Sequence, residues 1–263
     1  MPGVKQAIIL AAGRGSRLRP HTDSAPKCLL PFAGRCLFDW QRSALGANGV
    51  TEIGVVRGYR GEAFDNAGVR VWDNREWDKS NMVHSLFCAR DALESAEGLV
   101  IAYGDIVYEP RVVQAVLETA GDIVVAVDRN WLDLWRARSE NPLDDAETLR
   151  IDANGYIVDI GRKPTSLAEI EAQYIGLLRL SKTGLRQLCA FYDAAMDGSA
   201  WMMGRPRINC YMTDLLRGLT ESGVRLTAAP FAGGWLEFDT SEDLRVYETM
   251  LAEGQLDRFF HTA

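Results

Sequence analysis

Histidine is scarce in this 263-residue chain: His21, His84 and His261 are its only copies, and they are scattered. No Ser–His–Asp or Cys–His arrangement is apparent, so chemistry through an activated covalent nucleophile is not expected. The five cysteines, Cys28, Cys36, Cys88, Cys189 and Cys210, are odd in number and lack any CxxC spacing. A disulfide framework or zinc site is therefore not expected, and a reducing, cytoplasmic setting is. For Cys28, beside Lys27, a small buried residue is the expectation rather than a reactive thiol. No apolar run reaches the roughly 18 residues of a membrane span, and no basic segment leads into an apolar stretch with a cleavage site. A soluble, unexported protein without a membrane partner is expected. Positive charge is also short: the formal net charge is −7. That balance disfavours nucleic acid as a partner and requires any phosphate ligand to be met by a local cluster of cations. Internal repeats, low-complexity tracts and linkers are absent, while 47% apolar and 25% charged residues suit an ordinary folded domain.

The local cluster of cations exists. After the apolar run Val4–Leu10, which reads as a buried strand, the chain continues LAAGRGSRLRPHTDSAPK from Leu10 to Lys27. Gly13 and Gly15 let the backbone approach a ligand and turn N–H groups toward phosphate oxygens. Arg14, Arg17 and Lys27 supply the charge that a nucleoside triphosphate requires. No Gly-Lys-Ser/Thr ending follows, which excludes a Walker A loop, and Leu18 stands where a dinucleotide fingerprint needs its third glycine.

This loop matches LAAGxGxRLxPxTxxxPK, and the chain thereby resembles the nucleotidyltransferases that activate small phosphorylated compounds. Ser80–Leu86, Tyr103–Asp105, Asp128–Trp135, Asn141–Glu147, Gln173–Gly176, Tyr211–Leu215 and Gly234–Asp239 extend the likeness to the cytidylyltransferase branch. That branch acts on phosphocholine, 2-aminoethylphosphonate and other phosphonates, and phosphoglutamine-type acceptors.

Strand-like runs at Glu52–Val56, Val69–Trp72, Leu99–Tyr103 and Ile123–Val127 alternate with helical spacing at Leu37–Asn48, Asn81–Leu93 and Pro110–Glu118. Such repetition predicts an α/β, Rossmann-like, mostly parallel sheet with helices on both faces. Residues 129–181 are more polar, carry Pro142 and Pro164, and hold short alternating segments at Thr148–Ile151 and Tyr156–Ile160. They read as an acceptor-side insertion within a single domain spanning 1–263. Helices are expected again over Leu185–Ala195, Met212–Glu221 and Ser241–Leu251, with strands at Val224–Ala228 and Trp235–Phe238.

Ligands of open α/β sheets lie outside the carboxyl ends of the strands, where this loop, Gly104–Asp105 and Glu237–Asp239 would converge. Magnesium prefers carboxylates combined with substrate phosphates, so Asp105 and Asp239 are the expected metal ligands, with Glu237 a weaker third. A strand-end aspartate also commonly caps a helix. The resemblance implies that the matching aspartates bind metal. It also implies that backbone N–H groups near Ala12–Gly15, with Ser16, hold the triphosphate of CTP. Arg14 and Arg17 then face the departing phosphates, and Lys27 the α-phosphate; Arg14 could equally point to solvent. Leu10, Ala11, Ala12 and Asn81 are implied to contact pyrimidine and ribose, although Ser80–Asn81 could equally cap a helix; Tyr103, before Gly104, could line the base or the acceptor site.

Acceptor selection is assigned to the insertion. Trp131 and Trp135, four apart, share a helix face near Asp128, and aromatic rings beside carboxylates suit an ammonium group. The same pair fits equally as anchors of the insertion. Lys163, Gln173, Tyr174 and Glu237 complete the expected acceptor contacts. A sugar-1-phosphate nucleotidyltransferase using UTP, dTTP or GTP, and a non-catalytic nucleotide-sensing module, are the alternatives. Oligomeric state stays open, a homodimer included.

Overall fold

A computed structural model describes residues 3–196 and 205–262 of the chain. An interior strand of its main sheet, β1 (Gln6–Ala11), divides its side chains between two cores: Ala7, Ile9 and Ala11 enter one, Ile8 and Leu10 the other. A strand apolar at successive positions is what a sheet covered on both faces requires. The other strands of this sheet are β2 (Glu52–Arg57), β3 (Arg70–Asp73), β4 (Gly98–Tyr103), β5 (Ile123–Asp128), β6 (Gln173–Ser181) and β7 (Leu226–Phe231). Their order is β7-β5-β6-β4-β1-β2-β3. Neighbours run parallel except around β6, which is antiparallel to both β4 and β5.

The helices are α1 (Leu37–Ala47), α2 (Met82–Cys88), α3 (Arg90–Ser95), α4 (Pro110–Glu118), α5 (Trp131–Arg138), α6 (Lys182–Met196), α7 (Met212–Glu221) and α8 (Ser241–Ala252). Helices α1, α4, α5 and α8 bury their apolar residues in one core, and α2, α3, α6 and α7 in the other. The mostly parallel sheet with helices on both faces is therefore present.

Two expectations change. The single helix expected over Asn81–Leu93 breaks at Ala89, a buried residue at φ −97° and ψ 29°. The break separates α2 from α3, whose Arg90 forms a two-pronged pair with Asp193 of α6. More consequentially, residues 173–181 do not belong to the insertion; they form β6, in the middle of the sheet. Arg179 disguises this strand, because an arginine rarely sits in a core. Here its guanidinium donates to the carbonyls of Val116, Thr119 and Gly121, so the charge is held by backbone dipoles.

What remains between β5 and β6 is α5, turns at Pro142–Asp144 and Leu167–Glu169, and a hairpin of Leu149–Ile151 with Ile157–Ile160. Strand Trp235–Glu237 pairs antiparallel with Ile106–Tyr108 in a separate two-stranded sheet. This pairing joins two distant segments of chain, and the Phe238 amide donates to the Asp105 carbonyl at 2.9 Å. Asp105 and Asp239 are brought to one place by that register.

Candidate active site

The end of β1 opens into a short turn, Ser16–Leu18, preceded by Gly15 in the left-handed region at φ +67°. Leu18 is fully buried and anchors the loop, while Thr22 Oγ1 donates to the Gly15 carbonyl at 2.9 Å. Side-chain freedom at position 15 is denied twice. A Cβ there would be strained by φ and would stand 2.9 Å from the Lys27 side chain. Ser241, the first residue of α8, donates from Oγ to the Arg19 carbonyl at 3.0 Å and so ties the loop to the far end of the chain.

Lys27 opens the turn Lys27–Leu29 and is the centre of the charge arrangement. Its Nζ lies 2.8 Å from Asp105 and 3.1 Å from Asp239, whose other oxygen is 2.6 Å from Arg17. Burial pulls the Lys27 pKa down, but the carboxylates of Asp105, Asp239 and Glu237 outweigh it, and the net displacement is upward. Asp105 Oδ1 is buried without a hydrogen-bond partner. A carboxylate oxygen in that state is an acceptor held in reserve, and a divalent cation or bound donor would satisfy it.

These groups line a cleft of about 370 Å³ with Leu10, Ala11, Gly13, Ser16, Asn81, Tyr103 and Gly104. Asn81 also caps α2, its Oδ1 accepting from the Met82 amide at 2.8 Å. Cys28 lines the cleft as a buried thiol whose pKa burial pushes well up, which makes it inert.

A second cleft of about 230 Å³ continues from the first, the two sharing Met82, Tyr103, Tyr211 and Glu237. Trp135, Gln173 and Tyr174 line it as expected, joined by Asp145, Glu147 and Thr213. Three carboxylates and four aromatic rings, those of Tyr103, Trp135, Tyr174 and Tyr211, thus surround a space that no lysine or arginine lines among the described residues. Burial raises the Glu147 carboxyl to about 7; a Thr213 hydrogen bond opposes this, and Asp214 and Asp145 add to it. Burial likewise raises Glu237, against the pull of Arg138.

Five expected residues do not reach these clefts. Asp128 is buried at the end of β5, and its oxygens accept from the amides of Asn130 and Gly233 and from Trp235 Nε1. Such a carboxylate fastens loops, and it lines neither cleft. Trp131 packs edge-on against Trp135 in the core, so it anchors α5 while its neighbour faces the cleft. Lys163 donates to the carbonyls of Leu143 and Asp144 and closes the insertion on itself. Arg14 lies over the Tyr59 ring, 5.1 Å from its centroid, and pairs with Asp23. The Ala12 carbonyl is taken by the Tyr59 amide. Conversely, Asp145, Glu147, Tyr211 and Thr213 lie inside motif segments noted in the sequence, and only their place in the fold reveals that they face one cavity.

The MobA-like NTP transferase domain model matches residues 7–162. A CTP:phosphoglutamine cytidylyltransferase of Campylobacter jejuni is 40% identical over 250 residues, covering 91% of this chain and 98% of that protein. Among solved structures, the inositol-1-phosphate CTP transferase of T. maritima superposes with a TM-score of 0.73 at 21% identity, over 98% of both chains. The CTP:phosphocholine cytidylyltransferase of Streptococcus pneumoniae superposes at 0.70 and 20% identity, over 94% of this chain and 100% of that one. At these identities the structures attest the fold, whereas the family model and the C. jejuni relative attest descent. The chain belongs to the MobA-like NTP transferase family, in its cytidylyltransferase branch.

Proposed function

We propose that the protein transfers CMP from CTP to a small phosphorylated or phosphonate acceptor bearing an amine, releasing pyrophosphate. The observation that carries this reading is the continuity of the two clefts at Tyr103, Tyr211 and Glu237, directly beside Lys27 and Asp105. One cleft offers backbone and cations for a triphosphate, and the other offers Asp145, Glu147 and Glu237 with Trp135, Tyr174 and Tyr211. Carboxylates combined with aromatic faces suit an ammonium group. The C. jejuni relative supports an amino-acid phosphate of the phosphoglutamine kind as the first acceptor to try.

In the reaction, an oxygen of the acceptor phosphate bonds to the α-phosphorus of CTP while the bond from that phosphorus to the β-bridging oxygen breaks. Pyrophosphate carries away the electron pair. The attacking group needs no base, because a phosphomonoester with a second pKa of roughly 6 is ionised at neutral pH. Lys27 exchanges its carboxylate partners for the α-phosphate, and Arg17 turns from Asp239 to the leaving pyrophosphate, so charge stays matched throughout. Magnesium, which Asp105 and Asp239 fit, supplies neutralisation of phosphate charge when bound. The cytoplasm is the compartment this chemistry implies.

The test is a panel of four nucleoside triphosphates against phosphoglutamine, phosphocholine, 2-aminoethylphosphonate and a sugar 1-phosphate, read by pyrophosphate release. Turnover confined to CTP with an amine-bearing acceptor is expected. Turnover of UTP, dTTP or GTP with the sugar phosphate would support the competing transferase instead, and silence throughout would support a nucleotide sensor.

A further inference from the structure

Arg138, at the carboxyl end of α5, is almost fully enclosed, its side chain 6% exposed. It touches both clefts while lining neither. Its guanidinium lies 5.2 Å from the ring centroid of Trp135, a wall of the acceptor cleft. Nη1 donates to Glu237 Oε2 at 2.8 Å, and Nε donates to Asp243 Oδ1 at 2.9 Å. Asp243 Oδ2 then accepts the amide of Asp239 at 2.9 Å and that of Thr240 at 2.7 Å. The Thr240–Asp243 pair is the capping box that starts α8. One guanidinium thereby fixes the Glu237 carboxylate and, through Asp243, the backbone that aims Asp239 at Lys27.

We propose that Arg138 is a positioning residue for nucleotidyl transfer, holding Glu237 and Asp239 in register across the junction of the two clefts. The inference rests on the proposed reading of that junction as the reaction site. Only arginine meets the geometry, since a planar fork spans two carboxylates at once and an ammonium does so without fixed direction. A helix packed behind the acceptor cleft is in this way connected to the nucleotide cleft by hydrogen bonds, with no contact to either substrate.

The test compares Arg138→Lys with wild type for kcat, KM, melting temperature and Mn²⁺ affinity measured calorimetrically with CTP present. Groups behind a metal-binding carboxylate commonly carry effects of about 10- to 100-fold. The expected result is a kcat loss and a weakening of Mn²⁺ affinity in that range, with the KM for CTP within about threefold and the protein folded. Should the lysine variant fail to fold, Arg138→Met with Asp243→Asn removes the buried Arg138–Asp243 ion pair while leaving an oxygen for the amides of Asp239 and Thr240. The same losses are then expected. Wild-type kcat and Mn²⁺ affinity in a folded variant would overturn the proposal, as would failure of both variants to fold, which would confine Arg138 to stability. If wild type itself shows no transfer to any acceptor yet Mn²⁺ affinity still falls in the variant, the reading of the reaction fails and the positioning of Asp239 stands.

Discussion

Gly176 lies so close behind Tyr103 that a Cβ added to it would fall 2.5 Å from the tyrosine ring. The glycine sits at φ +83°, inside the register shift that interrupts β6 between Tyr174 and Leu178. The bulge and the missing side chain together make room for a ring that lines both clefts.

Gly176→Ala is therefore expected to push Tyr103 into the clefts and raise KM for CTP and for acceptor together. The unfavourable φ adds a stability cost of about 1–3 kcal/mol. Gly155→Ala separates the two effects, because Gly155 has the same φ of +83° with nothing within 4 Å of the added atom. Melting temperatures should fall in both variants, and kinetic constants should change in the first alone.

Lys27→Met takes the shared cation from Asp105 and Asp239, leaving Asp239 with Arg17 alone and Asp105 with no cation in contact among the described residues. Breaking a buried pair from one side costs about 3–5 kcal/mol. Losing a charge aimed at the reacting phosphate costs about 10²–10³ in kcat/KM, measured by pyrophosphate release. In wild type the Lys27 pKa is raised, so its contribution to stability is complete below the ordinary lysine value. It is lost only as pH climbs through the higher folded value, and thermal melts above about pH 10 should reveal the decline.

Glu147 behaves in the opposite range. Its carboxyl, raised to about 7, faces Asp145, Asp214, Arg205 and the Thr213 hydroxyl. In substrate-free protein its favourable contribution is complete below the unfolded value near 4.3 and is lost as pH rises through 7. Glu147→Gln should leave stability unchanged at pH 4.5 and raise it on the order of 1–3 kcal/mol at pH 8. With an amine-bearing acceptor, wild-type KM should fall between pH 6 and pH 8 as the carboxylate forms. The variant should lose that fall and show a KM about tenfold higher at pH 8. A pH profile identical in both proteins would remove Glu147 from the acceptor site.

The signature loop was legible in the sequence because its chemistry is local: glycine, arginine and lysine act within one turn after one strand. Gly13, Gly15, Ser16, Arg17 and Lys27 all line the first cleft, together with Asn81, Tyr103 and Gly104. Asp105 and Asp239 were legible by a weaker rule, that acids at strand ends gather at one edge of the sheet, although Asp239 arrives from a separate two-stranded pairing. The acceptor side was not legible in the same way. Tyr211 and Thr213 stand at the start of α7 and Glu147 in the distant insertion, and nothing in their spacing says that they share a cavity. Asp128 stands beside Trp131 and Trp135 in the sequence, yet its oxygens accept from two amides and an indole away from both clefts. The interior strand β6 was hidden by Arg179, whose charge is satisfied by carbonyls that only the folded chain brings near.

The most direct measurement of the central claim is anomalous scattering from crystals grown with CTP and Mn²⁺. A manganese peak between the carboxylates of Asp105 and Asp239 is expected, with the triphosphate lying along residues 13–17 and its α-phosphate within reach of Lys27. A peak bound elsewhere, or nucleotide density outside the cleft that Lys27 lines, would contradict it.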